Sequence, residues 1–188
     1  CDVKLMGNHE YVALGLLHHE YLNDIARESM QWTAERLSHA EIETISDYSM
    51  DAELQRAYLV HASPYEPDQW HYILSVAEAR QAFSHFDHFI GFFGHSHVPM
   101  IFSQSSDDDC IGQMGHDFDP DPDNRYLVNI GSVGQPRDND PRSCYVIYDT
   151  DAPSVRYRRV DYDIDMTQRK MAEARLPGML ADRLRVGR

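Results

Sequence analysis

Short apolar runs alternate with amphipathic stretches along most of the chain, and this alternation limits the fold more than any other feature. Strands are predicted at residues 3–6, 57–60, 88–93, 126–130, 144–148 and 155–160. Helices are predicted at residues 10–20, 24–37 and 68–83, with two short helices over 166–184. Strands and helices alternate first, and strands follow one another later. The order predicts an α/β layered domain with a mixed sheet and a hairpin-like C-terminal half. We interpret residues 1–188 as a single domain.

Composition excludes some classes of partner. The 188 residues carry a formal net charge of −14. A surface that coats nucleic acid needs clustered basic residues, so we do not expect one here. No apolar stretch approaches the length of a bilayer-crossing helix, so no membrane partner is expected either. The three cysteines, Cys1, Cys110 and Cys144, are odd in number and widely spaced. This usage favours a reducing compartment, and we expect a cytoplasmic protein.

One acidic stretch has the composition of a loop. Residues 105–124, SSDDDCIGQMGHDFDPDPDN, mix Asp, Pro, Gly and Ser between two predicted strands. The alternating acids from Asp117 to Asp123 are spaced like those of a calcium loop. However, the sixth position is Pro122 where glycine is needed, and the twelfth is Val128 where a bidentate glutamate is needed. We therefore predict a solvated loop.

Side chains of the kind that bind metal ions follow three of the predicted strands, in the sequences GNHE, HASP and GHSH. The residues concerned are Asn8, His9, His61, His95 and His97. Loops at the carboxyl ends of strands converge in α/β sheets, so we expect these side chains to lie close together. Imidazole suits Zn, Mn, Fe and Ni ions, and an amide oxygen suits a hard cation. Gly7 and Gly94, which precede these residues, are expected to let the chain turn sharply.

Each histidine alone is better explained as a surface or hydrogen-bonded residue, because HxH is a weak pattern. We give that interpretation to His18, His19, His39, His71, His85, His88 and His116. The combination of three motifs, each behind a predicted strand, favours ligands at the other positions.

The order GNHE, lone histidine, GHSH resembles the last three motifs of the calcineurin-like metallophosphoesterases. The chain is most similar to the bacterial group related to diadenosine tetraphosphatase and serine/threonine phosphatases. The stretch NIGSVGQPRDNDPRSCYVIYD, residues 129–149, is similar to that family's Asn-Pro-Gly-Ser-Val-Gly-Gln-Pro-Arg loop and following strand. The C-terminal stretch from RRVDYDID onward is similar to the ending of this group, so the similarity covers nearly the whole chain.

The resemblance implies an αββα sandwich with mixed sheets and a site for two divalent ions, from among Mn, Fe, Zn and Ni. By position, the implied ligands are Asn8, His61 and His95 for one ion and His97 for the other. His9 would lie near the leaving group, as general acid or stabiliser of the transition state, with Glu10 in support at the helix start. The implied activity is hydrolysis of phosphomonoesters or phosphodiesters by a hydroxide that two metals activate. The implied substrate is a phosphorylated small molecule, a nucleotide or a phosphoprotein.

Two motifs of the family, Asp-x-His and Gly-Asp, do not precede GNHE in this chain. In the family they supply an Asp, a His and the Asp that bridges both ions. Asp2 is the only carboxylate before Gly7, and the family pattern places it away from the metals. The acidic loop at residues 107–123 is not expected to replace the bridge.

The resemblance therefore implies incompletely liganded ions and a domain that lacks the first strands and helix. It further implies an N-terminally incomplete chain with impaired activity. Residues 3–6 would then expose a strand edge, so we expect reduced stability and self-association through that edge.

Arg137, in QPRDND, is a candidate for binding substrate phosphate, because arginine forms paired hydrogen bonds with phosphate. A salt bridge with Asp138 or Asp140 is an equally good interpretation. Ser132 could donate a hydrogen bond near the metals, but no neighbouring base marks it as a nucleophile. The aromatic residues Tyr65, Trp70 and Tyr72 are interpreted as core rather than as pocket residues.

Three functions remain open, and we favour a metal-dependent phosphoesterase. The alternative is a non-catalytic module for binding or scaffolding that keeps the fold without its metals. A third is a simple protein that binds one metal ion through Asn8, His61 and His95.

Overall fold

The computed structural model describes residues 2–16 and 22–188, with three helices first, then eight strands with one helix among them, and two helices last. The helices are α1 (Asn8–Ala13), α2 (Asp24–Ala34), α3 (His39–Ser46), α4 (Val76–Phe83), α5 (Ile164–Glu173) and α6 (Gly178–Asp182). The strands are β1 (Asp51–Leu54), β2 (Ala57–Val60), β3 (Ile90–Phe93), β4 (Met100–Gln104), β5 (Cys110–Met114), β6 (Arg125–Asn129), β7 (Ser143–Asp149) and β8 (Ser154–Val160). Single 3₁₀ turns lie at Pro67–Gln69 and Arg183–Arg185. Within the described ranges, every helix is too short or too polar to span a bilayer.

Six strands form one mixed sheet, in the order β1-β2-β3-β6-β4-β5. The three central strands β2, β3 and β6 are parallel, while β1, β4 and β5 run antiparallel to their neighbours. All four residues of β3 are buried, as expected for a strand covered on both faces. The mixed sheet that the sequence predicts is therefore present.

The sheet lies between a helical layer and a β-hairpin. On one face, Phe83 of α4 belongs to a buried cluster with Phe102 and Leu127 of the sheet. On the other face, Val128 packs in a second cluster with Val155 of the β7–β8 hairpin. Burying these side chains stabilises the fold by about 1.5–3 kcal/mol each. The packing fixes the sheet, and with it the common edge at which β2, β3 and β6 end.

The predicted strand at residues 3–6 is wrong, because only Leu5 pairs there, through a single parallel bridge with Ser49. The Met6 N–H donates to the Ser49 carbonyl at 2.8 Å, and the Ser49 N–H donates to the Lys4 carbonyl at 3.3 Å. The ladder cannot lengthen, because its partner segment is the short link between α3 and β1. Self-association through a strand edge at this position stays a prediction.

Two predicted helices have different bounds in the structure. The prediction at residues 68–83 contains α4 only after Ser75, which forms a capping box with Glu78 and so fixes the start of the helix. The prediction at residues 10–20 overlaps α1 at its start. Its later part falls within residues 17–21, which lie outside the described residues together with His18 and His19.

Sequence reasoning missed four elements, namely α3, β1, β4 and β5. The solvated loop predicted at residues 105–124 contains β5, which pairs with β4. Asp117 and Asp119 are exposed, as expected for a solvated stretch, and they form ion pairs with Arg158 and Arg156 of β8. The two-residue spacing of these aspartates matches the spacing of side chains on one face of β8.

Candidate active site

One cavity of about 210 Å³ opens at the edge where the parallel strands end. Its lining consists of Asn8, His9, Glu10, His61, Tyr72, His95, His97 and Arg137. Every residue that the sequence singles out for catalysis, metal binding or substrate binding therefore lines the same space. The rule that loops converge at the carboxyl ends of parallel strands accounts for the residues that follow β2, β3 and β6, but not for those of α1, which follow no strand of the sheet. The chemical role of each residue stays a prediction.

The GNHE motif starts helix α1, with Gly7 as its N-cap. The Gly7 N–H donates to the Glu10 carboxylate at 3.0 Å, which gives Glu10 a supporting position at the helix start. The His61 ring packs against Gly7 so closely that a Cβ atom on Gly7 would lie 2.9 Å from the ring Nδ1. Position 7 therefore has no room for a larger side chain unless its neighbours move. His61 Nε2 also lies 3.1 Å from Asn8 Oδ1, so two predicted ligands of one ion are in contact.

The turn in GHSH is made by the histidines themselves. His95 and His97 adopt left-handed backbone conformations, with φ of 60° and 62°. The expectation that Gly94 makes the turn is wrong, because it lacks a positive φ and its Cβ would approach only the His61 carbonyl oxygen, at 3.6 Å. Left-handed backbone costs a non-glycine residue about 1–2 kcal/mol. Such conformations persist where the surroundings enforce them, often at functional sites.

Asn129, at the end of β6 and fully buried, enforces this turn. Its Nδ2 donates to the Gly94 carbonyl at 2.6 Å and to Ser96 Oγ at 2.9 Å, and its Oδ1 accepts from the Gly131 N–H at 2.9 Å. The Tyr157 hydroxyl donates to the Asn129 carbonyl at 2.8 Å. Sequence reasoning missed this role. The signal was present, since Asn129 begins the NIGSVGQPR stretch near the end of a predicted strand.

His97 is oriented by the loop that follows β6. Its Nδ1 lies 2.7 Å from the Gln135 carbonyl oxygen, so the proton belongs on Nδ1 and the Nε2 lone pair is left for another partner. The Arg137 N–H donates to the His97 carbonyl at 3.1 Å. Ser132 Oγ accepts from the Gln135 N–H at 2.9 Å, so this hydroxyl braces the loop. The two loops therefore hold each other in place.

Burial lowers the pKa of the cavity histidines. The pKa of His95 falls to about 3, chiefly through desolvation, and the positive charges of neighbouring groups, His61 first, add to the shift. The pKa of His97 falls to about 4, through desolvation and the charge of Arg137. Desolvation also lowers the pKa of His61, although Glu10 opposes it. These imidazoles are neutral at neutral pH, which is the form that binds metal ions.

His9 differs from the other cavity histidines because its side chain is exposed at the cavity mouth. Desolvation lowers its pKa, with Glu10 opposing the shift and Arg137 adding to it. His9 is the most exposed of the four cavity histidines.

Arg137 does not form the salt bridges offered as its alternative role. The carboxylates pair elsewhere, Asp138 with Arg159 and Asp140 with Arg142. Its Nη2 donates to Gln135 Oε1 at 3.0 Å, and its Nε is buried without a hydrogen-bond partner in the described part of the chain. The guanidinium charge thus faces the cavity without a carboxylate from either neighbour.

The aromatic residues after His61 were expected in the core, and this expectation is wrong for two of them. Tyr72 is 47% exposed and stacks on His95, with ring centroids 4.2 Å apart. Trp70 meets the edge of the His61 ring, with centroids 5.9 Å apart. The helical spacing behind the expectation does not apply, because these residues precede α4. Tyr65 is half-buried and lines neither this cavity nor the one beside it.

The five other described histidines lie away from the cavity, consistent with the surface interpretation. They are His39, His71, His85, His88 and His116. His71 and His88 contact carboxylates, and His85 and His116 contact backbone carbonyls.

The donor types in the cavity suit a divalent ion, because one amide and three neutral imidazoles face a common space. Among the described residues, Glu10 is the only carboxylate that lines the cavity, and it already accepts a hydrogen bond from the Gly7 N–H. Asp2 lines a separate groove, and none of the acids at residues 107–123 lines the cavity. Across residues 2–16 and 22–188, no three His, Cys, Asp or Glu side chains are arranged to hold an ion. The residues therefore fit a metal in type but do not form a closed shell.

The fold and cavity together define an α/β protein with an imidazole-rich site at the carboxyl edge of a mixed sheet. The chain belongs to the calcineurin-like phosphoesterase superfamily, whose domain matches residues 4–153.

Relatives of known sequence or structure agree with this assignment. The crystal structure of a metallophosphoesterase from Sphaerobacter thermophilus is 34% identical, with a TM-score of 0.82 over 98% of this chain and 76% of that chain. Uncharacterized protein MJ0912 of Methanocaldococcus jannaschii is 30% identical over 190 residues, or 99% of this chain and 76% of that protein. Hypothetical protein PH1004 from Pyrococcus horikoshii OT3 shares the fold, with a TM-score of 0.75 at 15% identity over 100% of this chain and 74% of that one.

These findings confirm the family resemblance and the mixed α/β fold class. They support a phosphoesterase function in general terms, and the family implies divalent metal cofactors.

Proposed function

We propose that this chain provides the catalytic site of a metal-dependent phosphoesterase that hydrolyses phosphomonoesters or phosphodiesters. The observation that supports the proposal most is that Asn8, His61, His95 and His97 line the same cavity as Arg137. Neutral imidazoles and an amide suit a divalent ion, and a guanidinium suits phosphoryl oxygens. A space that offers both suits a phosphate ester better than a neutral ligand.

The metal ligands would be Asn8, His61 and His95 for one ion, with His97 contributing to a second. Mn, Fe, Zn and Ni are the candidates by ligand type. When bound, such ions lower the pKa of a water molecule and withdraw charge from the phosphoryl oxygens. The chain's own contribution is to keep the imidazoles neutral and oriented. Burial does the first, and the Gln135 carbonyl does the second for His97.

His9 would act on the leaving group. It is next to the ligand Asn8 in α1, and its ring is exposed in the cavity. A neutral imidazole keeps one N–H donor, which can stabilise the negative charge that develops on the departing oxygen.

Arg137 would hold the non-bridging oxygens of the phosphoryl group. Its main chain is hydrogen-bonded to that of His97, so the side chain starts beside a predicted ligand. Paired N–H donors that match two phosphoryl oxygens would orient the ester before hydrolysis.

The substrate is proposed to be a phosphorylated small molecule, a nucleotide or a phosphoprotein. A cytoplasmic location stays a prediction from cysteine usage.

Hydrolysis of p-nitrophenyl phosphate and bis(p-nitrophenyl) phosphate by the purified chain, with Mn²⁺ or Ni²⁺, tests the proposal. We expect metal-stimulated hydrolysis, with His9→Ala lowering the rate about a hundredfold and Asn8→Ala lowering both the rate and metal affinity. The matched control is His39→Ala, which removes an exposed imidazole on α3 outside the cavity and should leave the rate unchanged.

Calorimetric titration with Mn²⁺ separates the alternatives. Absence of both hydrolysis and metal binding would contradict the proposal and favour a non-catalytic binding module. Binding of one ion without hydrolysis would favour the single-metal protein.

A further inference from the structure

A second compartment of about 300 Å³ adjoins the site cavity. We name it the outer compartment. It shares Asn8, His9, Tyr72, His95 and Arg137 with the site cavity. The start of α2 and the residues at the end of the first 3₁₀ turn complete its lining. A ligand held at Arg137 therefore has space to extend into the outer compartment.

Two aromatic side chains form the wall between β2 and α4. Tyr72 stacks on His95 with an angle of 29° between the rings, and 47% of the tyrosine stays exposed. Trp70 stands beside it and meets the edges of Tyr11 and His61, with centroids 5.5 and 5.9 Å apart. The outer compartment therefore presents aromatic surface that the protein core does not use.

The segment that carries this wall is braced. Glu66 and Trp70 flank the 3₁₀ turn and both have left-handed backbone, with φ of 46° and 57°. Glu66 binds His71 at 3.0 Å, and Tyr65 stacks on His71 with centroids 5.1 Å apart. A held, strained conformation at a cavity wall is typical of ligand sites.

The opposite wall is the start of α2, with Asn23 and Ala26. Asn23 Oδ1 accepts from the Ala26 N–H at 2.9 Å, and the Asn23 amide nitrogen forms no hydrogen bond among the described residues. Gln69 supplies a second amide. Aromatic surface with a few amides is the chemistry that recognises a planar heterocycle, and it does not suit a flexible alkyl chain.

We propose that the outer compartment binds the nucleobase of a nucleotide substrate, with the ring against Tyr72 and Trp70 and the phosphoryl group beside Arg137. The inference rests on the proposed function and narrows its substrate class. Among the proposed substrates, a nucleotide is the one that carries a planar ring to place against this aromatic wall.

Binding of AMP and of ribose 5-phosphate by the full chain tests this inference, measured by calorimetry with and without Mn²⁺. The two ligands carry the same phosphate on the same primary alcohol and differ in the base. We expect AMP to bind about five- to a hundredfold more tightly, the range that base–aromatic stacking supplies. A Trp32→Phe background leaves Trp70 as the only tryptophan, and its fluorescence should be quenched by AMP and not by ribose 5-phosphate.

Ala26→Leu fills the outer compartment from the side of α2 without touching a predicted metal ligand, so it should reduce the affinity ratio of AMP to ribose 5-phosphate. Tyr72→Ala should reduce that ratio, and Tyr72→Phe should restore it. The matched control Ala40→Leu, on an exposed position of α3, should leave the ratio unchanged.

Equal affinities for the two ligands, or absence of AMP binding, would overturn the inference. Hydrolysis of aryl phosphates is the separate readout of the proposed function. Hydrolysis of aryl phosphates together with equal affinity for AMP and ribose 5-phosphate would overturn only the proposed nucleobase site. Tighter binding of AMP without any hydrolysis would support the nucleobase site and overturn the proposed function.

Discussion

The two walls of the cavity are built differently. The sheet wall, His61, His95, His97 and Arg137, follows the central parallel strands, and a buried asparagine ties its loops together. The helix wall, Asn8, His9 and Glu10, belongs to a segment whose backbone joins the sheet region through one bridge, Leu5 to Ser49.

The difference separates two requirements of such a site. The sheet wall sets the geometry of the imidazoles at the expense of strained backbone. The helix wall contributes the Asn8 amide and the exposed His9 imidazole. It contacts the sheet wall where Asn8 Oδ1 lies 3.1 Å from His61 Nε2. Substitutions in the sheet wall should therefore lower both the free energy of unfolding and the affinity for Mn²⁺. Substitutions where the two walls meet should lower the affinity for Mn²⁺ more than the free energy of unfolding.

The largest effect is expected at Asn129. Asn129→Ala removes three buried side-chain hydrogen bonds, including those to Gly94 and Ser96 that support the left-handed histidines. We expect the free energy of unfolding in urea to fall by about 3 kcal/mol, and Mn²⁺ affinity to fall as well. The control Asn124→Ala removes an asparagine before β6 whose side chain forms no hydrogen bond among the described residues, and should cost less than about 1 kcal/mol. A similar loss for both variants would mean that the sheet wall is not held by Asn129.

The next effect is expected where the walls meet. Gly7→Ala places a Cβ 2.6 Å from Glu10 Oε2 and 2.9 Å from the His61 ring, so one of these groups must move. We expect a loss of about 1–3 kcal/mol in the free energy of unfolding, with weaker Mn²⁺ binding. Gly94→Ala is the matched control, because its nearest neighbour is 3.6 Å away. Equal behaviour of the two alanine variants would show that His61 does not pack on Gly7.

The smallest effect on the free energy of unfolding is expected from the charge of Asp140, in the loop that follows Arg137. The hydrogen bond from Arg142 lowers the pKa of Asp140 from 3.8 to about 2. A carboxylate with a depressed pKa in the folded state contributes stability above its unfolded pKa, and this contribution is lost as pH falls through the folded pKa. Asp140→Asn should therefore cost about 1 kcal/mol at pH 7, since solvent screens the pair, and the difference from the parent should shrink between pH 4 and pH 2. A constant difference across this range would contradict the assignment of the stability to ionised Asp140.

The sequence was sufficient for features that depend on local pattern or on a general rule. Strands β2, β3 and β6 are short apolar runs, and parallel strands bring the residues after them to one edge. That rule placed His61 and His95 together, whereas Asn8 reaches the same cavity from a helix that follows no strand of the sheet.

Other features depend on distant partners, and local pattern could not reveal them. The left-handed conformations of His95 and His97 rest on an asparagine more than thirty residues later, as the separation of 35 between Asn129 and Gly94 shows. Strand β5 has loop-like neighbours in sequence and is a strand because β4 pairs with it. Tyr72 was assigned to the core because its spacing suggested a helix that starts only after Ser75.

The central claim is that Asn8, His61 and His95 bind one divalent ion, and anomalous diffraction from crystals soaked in Mn²⁺ tests it most directly. The account predicts an anomalous peak about 2.0–2.3 Å from Asn8 Oδ1 and from one ring nitrogen each of His61 and His95. A peak elsewhere with none in this cavity, at a Mn²⁺ concentration that saturates the calorimetric titration, would contradict it.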